Sequence, residues 1–152
     1  MGTLYIVATP IGNLKDITLR ALEVLKDVDY VLCEDTRITG KLLKTYEIEK
    51  RLISFNEFTE VAKSQSVIND LLAGKQVALV ADAGTPLVSD PGYKLVREAI
   101  AKGIRVESSP GSSAVTVALT VSGLPSDKFL FLGYLPKKKL KRKNTLINLF
   151  TI

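Results

Sequence analysis

The chain contains no histidine, only one cysteine, and no apolar run close to the length of a membrane span. Without histidine it lacks the commonest general base and the commonest metal ligand. With Cys33 alone it cannot close an internal disulfide, which fits a reducing, cytoplasmic setting. The same scarcity argues against a zinc site, and no metal is expected. Cys33 lies in the apolar stretch Tyr30-Val31-Leu32-Cys33, where a buried, inert thiol is expected. A transmembrane helix needs about 20 apolar residues in a row, so no membrane association is expected. Met1 to Ala8 carries no positive charge and reads as a first strand, not a signal peptide. What remains is ordinary for a soluble domain: 152 residues, 46% hydrophobic and 24% charged, enough for one real core.

The net charge of +5 is concentrated. Lys137, Lys138, Lys139, Lys141, Arg142 and Lys143 supply six positive charges, leaving the rest of the chain near neutral. Such a block points to a polyanionic partner; the alternative is a solvated linker or helix start.

Strands and helices alternate. Strands are expected at Thr3–Ala8, Val28–Cys33, Arg51–Phe55, Val77–Ala81 and Ile104–Ser108. Helices are expected after Asp16 as a cap, over Thr39–Tyr46, over Thr59–Ala73 with Gly74 as the stop, and over Tyr93–Lys102. Ala114 to Val121 is almost bare of charge and reads as a buried helix start. This alternation predicts an α/β fold, a mostly parallel, doubly wound five-stranded sheet with right-handed crossovers. The character changes after Ser126. Lys128–Leu135 reads as a sixth strand, Pro136 ends it, and Asn144–Phe150 begins a helix before the chain stops at Thr151-Ile152. The expected division is a first domain over 1–125 and the truncated start of a second α/β domain over 126–152.

Four of the strand ends carry unusual loops: 9–13, 34–37, 82–92 and 109–113. In a parallel sheet they all lie on one edge, where open α/β sheets bind ligands. The longest, Ala81 to Gly92, has two glycines, two prolines and two aspartates in twelve residues, more turn chemistry than a plain connection requires. It lacks the spacing of a P-loop, and Ala8 to Gly12 lacks the G-x-G-x-x-G of a dinucleotide site. Gly and Pro here let a ligand approach the backbone closely; tight turns are the alternative for any single loop. Glu34-Asp35-Thr36-Arg37 sets two carboxylates beside a guanidinium, which fits a general base or substrate orientation, or an Asp–Arg pair with a helix cap. Ser112 and Ser113 have no histidine to activate them and sit in no G-x-S-x-G elbow, so capping or ligand hydrogen bonding is expected of them.

Six motifs occur in order: Leu4 to Leu14, Glu34-Asp35-Thr36-Arg37, Asp82 to Gly92, Pro110-Gly111-Ser112-Ser113-Ala114, Gly123-Leu124-Pro125 and Gly133-Tyr134-Leu135-Pro136. Together they resemble the bacterial small-subunit ribosomal RNA cytidine 2′-O-methyltransferases of the tetrapyrrole (corrin/porphyrin) methylase superfamily, over essentially the whole chain. The resemblance implies an S-adenosylmethionine-dependent enzyme with two α/β domains, the cofactor between them, and a homodimeric assembly. It implies cofactor contacts from Pro10, Ile11 and Gly12, from Asp82, Ala83, Gly84, Thr85, Pro86 and Val88, and from Ser113 and Ala114. It places Glu34, Asp35 and Arg37 toward the substrate, with Glu34 or Asp35 as the base for one proton. It makes small-subunit ribosomal RNA the polyanion met by Lys137 to Lys143. Methylation of a tetrapyrrole ring, or a truncated and catalytically incompetent fragment, are the alternatives. The resemblance implies that the family's second domain is represented in these 152 residues only by an expected first strand and the basic segment. Asn56 beside Glu57 stands where many relatives have a histidine, so no role for that histidine carries over.

Overall fold

The computed structural model of the chain describes residues 1–149. The expected helix end at Phe150 and the stop at Thr151-Ile152 lie outside the described residues.

Five strands form one sheet: β1 (Thr3–Val7), β2 (Tyr30–Cys33), β3 (Arg51–Ser54), β4 (Val77–Val80) and β5 (Arg105–Ser109). Their order is β3-β2-β4-β1-β5 and every pairing is parallel. Both β2 and β4 are buried at every position. That is why they read as unbroken apolar runs: a parallel strand covered on both faces has no polar side to show.

The helices are α1 (Leu19–Asp27), α2 (Thr36–Thr45), α3 (Glu60–Leu72), α4 (Tyr93–Ala101), α5 (Ala114–Val121) and α6 (Lys139–Leu149). On one face Ala21 and Leu25 of α1 and Leu43 of α2 pack with Val7, Val31, Cys33 and Val80. On the other, Ile68 and Leu71 of α3 and Leu95 and Ala99 of α4 pack with Leu4, Leu32 and Leu79. Val31 and Cys33 thus point one way and Tyr30 and Leu32 the other, the two-residue alternation of a strand. Each fully buried Leu, Ile or Val contributes about 1.5–3 kcal/mol. The sheet is doubly wound, as the alternation of elements predicts.

Three local expectations are corrected. Asp16 does not cap α1; it ends a 3-10 turn (Leu14–Asp16), and the Thr18 hydroxyl caps the helix by accepting the Ala21 N–H at 3.0 Å. The run 128–135 is not a strand, because no other strand among the described residues pairs with it and an extended segment without a ladder gains nothing from β geometry. Finally, α5 is not buried: none of its residues is, although it carries no charge. It follows the edge strand β5, and nothing among the described residues covers its outer side. No residue from 110 to 149 is buried.

One buried group lacks a partner. Ser109, at the carboxyl end of β5, is 2% exposed, and its hydroxyl has no hydrogen bond among the described residues. An unsatisfied buried hydroxyl costs about 1–3 kcal/mol. Ser109→Ala is therefore expected to raise the melting temperature, measured by circular dichroism. A fall of several degrees would show that the hydroxyl is satisfied.

Candidate functional site

Parallel strands bring all five carboxyl ends to one edge, and the loops leaving them are tied together. Thr9 and Gly84 exchange both backbone hydrogen bonds, Thr9 N–H to Gly84 O at 2.9 Å and Gly84 N–H to Thr9 O at 3.1 Å. The Thr9 hydroxyl donates to Ala81 O at 3.1 Å, and the Thr85 hydroxyl to Ser112 O at 3.2 Å. The loops after β1, β4 and β5 form one platform.

The central loop is held in an unusual backbone. Leu87 (φ 71°) and Ser89 (φ 68°) occupy the left-handed region, as do Gly84 and Gly92. Left-handed non-glycine residues cost roughly 1–3 kcal/mol each and persist where the surroundings determine them. Leu87 is held by packing its side chain on the core.

A cavity of about 250 Å³ opens on this platform, lined by Ile11, Ala83, Gly84, Thr85, Val88, Ser113 and Ala114, all among the contacts the family resemblance implies. Ser89, Asp90, Val115, Phe131, Gly133 and Tyr134 line it too, and the sequence alone assigns them no contact. For Gly133 and Tyr134 the available signal is the Gly133-Tyr134-Leu135-Pro136 motif; Phe131 lies before it, in the run 128–135 whose composition suggests a strand and not a wall. Pro10 and Asp82 face elsewhere: they line a second cavity of about 390 Å³ with Leu14, Ile38, Thr39, Lys41 and Leu42. Gly12 and Pro86 line neither cavity, Gly12 being exposed and Pro86 buried. Asp82 acts as a strut: its Oδ1 accepts the Asp35 N–H at 3.0 Å, linking the central loop to the start of α2.

The two carboxylates after β2 differ in kind. Asp35 is the N-cap of α2, accepting the Arg37 N–H at 2.8 Å. It also holds the Arg37 guanidinium, with Nε at 3.0 Å. The hydrogen bonds from the Arg37 side chain and backbone hold its carboxyl down at about 2. Glu34 goes the other way. Burial raises its pKa, the charges of Asp90, Asp82 and Glu57 add to the rise, and the Asp82 N–H partly opposes it. Asp90 is raised as well, by burial and by Asp82. Glu34 lines a hollow with Asn56, Glu57, Phe58, Ser89, Asp90 and Pro91. Ser89 and Asp90 are common to this hollow and the first cavity, so the two are neighbours.

The six basic side chains of 137–143 lie on or just before α6, and all six are exposed. Among the described residues no three His, Cys, Asp or Glu side chains come together as a metal-ligand set, and no helix is long and apolar enough to cross a membrane.

Known proteins resemble this chain in sequence and in fold. The family model described as Tetrapyrrole (Corrin/Porphyrin) Methylases matches residues 3–146. A protein of Mesorhizobium japonicum named "Ribosomal RNA small subunit methyltransferase I" is 57% identical over 94% of this chain and 49% of its own length. A protein of that name from Thermotoga maritima is 50% identical over 99% of this chain and 71% of its own. The chain spans about half the length of most of the curated relatives it matches. Among solved structures, diphthine synthase superposes with a TM-score of 0.68 at 21% identity, over 86% of this chain and 52% of that one. Uroporphyrin-III-C-methyltransferase from Thermus thermophilus gives 0.61 at 27% identity, over 82% and 54%.

Proposed function

Because the chain belongs to the tetrapyrrole (corrin/porphyrin) methylase family, we propose that it forms the methyl-donor-binding portion of an S-adenosylmethionine-dependent methyltransferase acting on a cytidine 2′-hydroxyl of small-subunit ribosomal RNA. The observation that carries this reading is the platform of three joined loops with the first cavity on it. The residues fit such a donor. At Gly84 a Cβ would lie 3.3 Å from Ile11 Cγ2, so the absence of a side chain keeps the cradle open. Ser113 caps α5 without using its hydroxyl for the helix, leaving polar groups at the helix start to face the cavity. When bound, S-adenosylmethionine supplies an electrophilic methyl group on a sulfonium.

In this reading Glu34 would accept the proton of the ribose hydroxyl, and the donor that supplies the methyl group would be held by Ile11, Gly84, Thr85 and Ser113. Glu34 suits the role because its raised pKa brings the base closer to working pH. Asp35 does not, since its electron pairs are committed to Arg37 and the start of α2. Asp35 and Arg37 position the segment. Ser89 and Asp90 line both the first cavity and the Glu34 hollow, which supports a reading in which acceptor and donor would lie side by side.

The basic segment favours RNA over a tetrapyrrole ring, because six exposed cations strung along 137–143 suit an extended polyanion. Replacing Lys138, Lys139, Lys141 and Arg142 with Gln is expected to weaken binding to small-subunit RNA. It should also flatten the log–log salt slope by about 0.7–0.9 per lost phosphate contact. An unchanged slope in fluorescence anisotropy titrations would remove the segment from the interface. The reading includes a homodimer, a cytoplasmic site of action, and a division of the chain into 1–125 and 126–152. The exposed apolar side chains of 121–135, among them Val121 at 79% and Leu124 at 70%, support a further covering surface. The deciding assay is transfer of a tritiated methyl group to unmodified small ribosomal subunits, run with this chain and a full-length relative in parallel. If the full-length protein labels nothing, the assignment is wrong.

A further inference from the structure

The first turn of α3 contains a carboxylate that neither cavity uses. Glu60 is 7% exposed, and no Lys or Arg among the described residues forms an ion pair with it. Burying a carboxylate without a cation is costly unless donors replace the lost water. Here the donors come from another helix. One oxygen, Oε1, accepts the N–H of Gly92 and the N–H of Lys94, both at 3.2 Å. These groups start α4, the helix that leaves the central loop, where the helix dipole also favours negative charge.

The arrangement follows from what residue 92 must be. Gly92 has φ 120°, and a Cβ there would come within 2.5 Å of Leu79 Cδ2 in the core. Any side chain able to cap α4 locally is therefore excluded, and Gly92 provides none. The cap is borrowed from Glu60, across the packed α3–α4 pair.

We propose that Glu60 is a positioning residue for methyl transfer: by capping α4 from α3 it fixes the outgoing leg of the 82–92 loop in the shape that forms the donor cavity. Val88, Ser89 and Asp90 lie two to four residues before the capped turn and line that cavity. Ser89 and Leu87 are in left-handed backbone, so this leg needs an external constraint to hold it. Glu60 also sits directly after Asn56–Thr59, a turn in which the Asn56 side chain accepts the Phe58 and Thr59 N–H groups. Asn56 and Glu57 line the Glu34 hollow. The Glu60 carboxylate thus joins the acceptor-side wall to the donor-side loop.

This inference rests on the reading of the first cavity as the donor site, and the test separates the two. Three proteins are compared, the native chain, Glu60→Ala and Glu60→Gln. The Gln amide oxygen can accept the same two N–H groups, whereas Ala accepts none. Hydrogen–deuterium exchange on the ligand-free proteins is expected to show faster exchange across residues 88–95 in E60A. In E60Q it should return to the native rate, with β1, β2 and β4 unchanged in all three. Calorimetry with S-adenosylhomocysteine should give a dissociation constant about tenfold weaker in E60A and close to native in E60Q. Should E60A fail to show a cooperative melt, Glu60→Asp, whose carboxylate is one methylene shorter, replaces it with the same expectations. Equal exchange across 88–95 in all variants overturns the proposal. So does a lowered melting temperature with an unchanged dissociation constant, because Glu60 would then be structural only. If the native chain shows no binding heat at millimolar ligand, the donor-site reading falls and the positioning role for transfer falls with it.

Discussion

Gly84→Val is expected to abolish S-adenosylhomocysteine binding while the chain still melts cooperatively. Two effects act at this position. The backbone φ is +87°, a region where a β-branched side chain is strained. The strain alone costs roughly 1–3 kcal/mol. The new side chain also has nowhere neutral to go. Its Cβ meets Ile11 Cγ2 at 3.3 Å and Ser112 O at 3.8 Å, so the two methyl groups must enter the cavity or push the loops after β1 and β5 apart. Either outcome removes the donor's place, and the second also breaks the paired Thr9–Gly84 hydrogen bonds. The control is Gly123→Val. Gly123 has φ +70°, and a Cβ added there would meet nothing within 4 Å, so this variant carries comparable backbone strain without an obstruction in the platform. Calorimetry should show native-like binding for G123V and no binding for G84V. If G84V binds as the native chain does, the first cavity is not the donor site.

The fold class is legible in the sequence because its strongest signals are local. The runs Val77–Val80 and Tyr30–Cys33 are apolar throughout, which a parallel strand buried on both faces requires, and Asp35 stands ready to cap the helix that follows the second of them. Strand order is not legible. Nothing local distinguishes β3-β2-β4-β1-β5 from other parallel orders, since that choice is made by packing between residues far apart in the chain. The expectations for α5 and for 128–135 fail for a related reason. Apolar composition says what a segment gains by burial, not whether a partner surface is present to bury it. At the site, the sequence identifies which loops converge but not how they divide. Pro10 and Asp82 are chain neighbours of Ile11 and Ala83, yet they line a different cavity because the Thr9–Gly84 pairing runs between the two. Glu60 is indistinguishable from any helix-start acid, since its partners at 92 and 94 lie 32 and 34 residues away.

Glu34 is where stability and activity are expected to part. Glu34→Gln keeps the shape of the side chain and removes its capacity to accept a proton. If Glu34 is the base, the rate of methyl transfer should fall by about 10²–10⁴-fold with little change in donor affinity. The pH dependence has a definite sign. The base must be ionised, and burial with Asp90, Asp82 and Glu57 nearby raises the pKa. The acidic limb of the native rate profile should therefore lie above the value of about 4.3 for an ordinary Glu. Stability runs the other way. A carboxyl whose pKa is higher in the folded than in the unfolded state stabilises the fold below its unfolded pKa, and that contribution is lost as pH rises through the folded value. At neutral pH the ionised Glu34 is thus a burden that the Gln variant lacks. E34Q should melt above the native chain at pH 7, and the difference should vanish in acid. Asp35→Asn should do the opposite. The pKa of Asp35 is lowered to about 2 by Arg37, so its contribution is present at neutral pH and lost only as pH falls toward that value. D35N is expected to melt below the native chain at pH 7. If E34Q transfers methyl groups at the native rate and D35N does not, the proton goes to Asp35, and the carboxylate nearest the guanidinium does the chemistry after all.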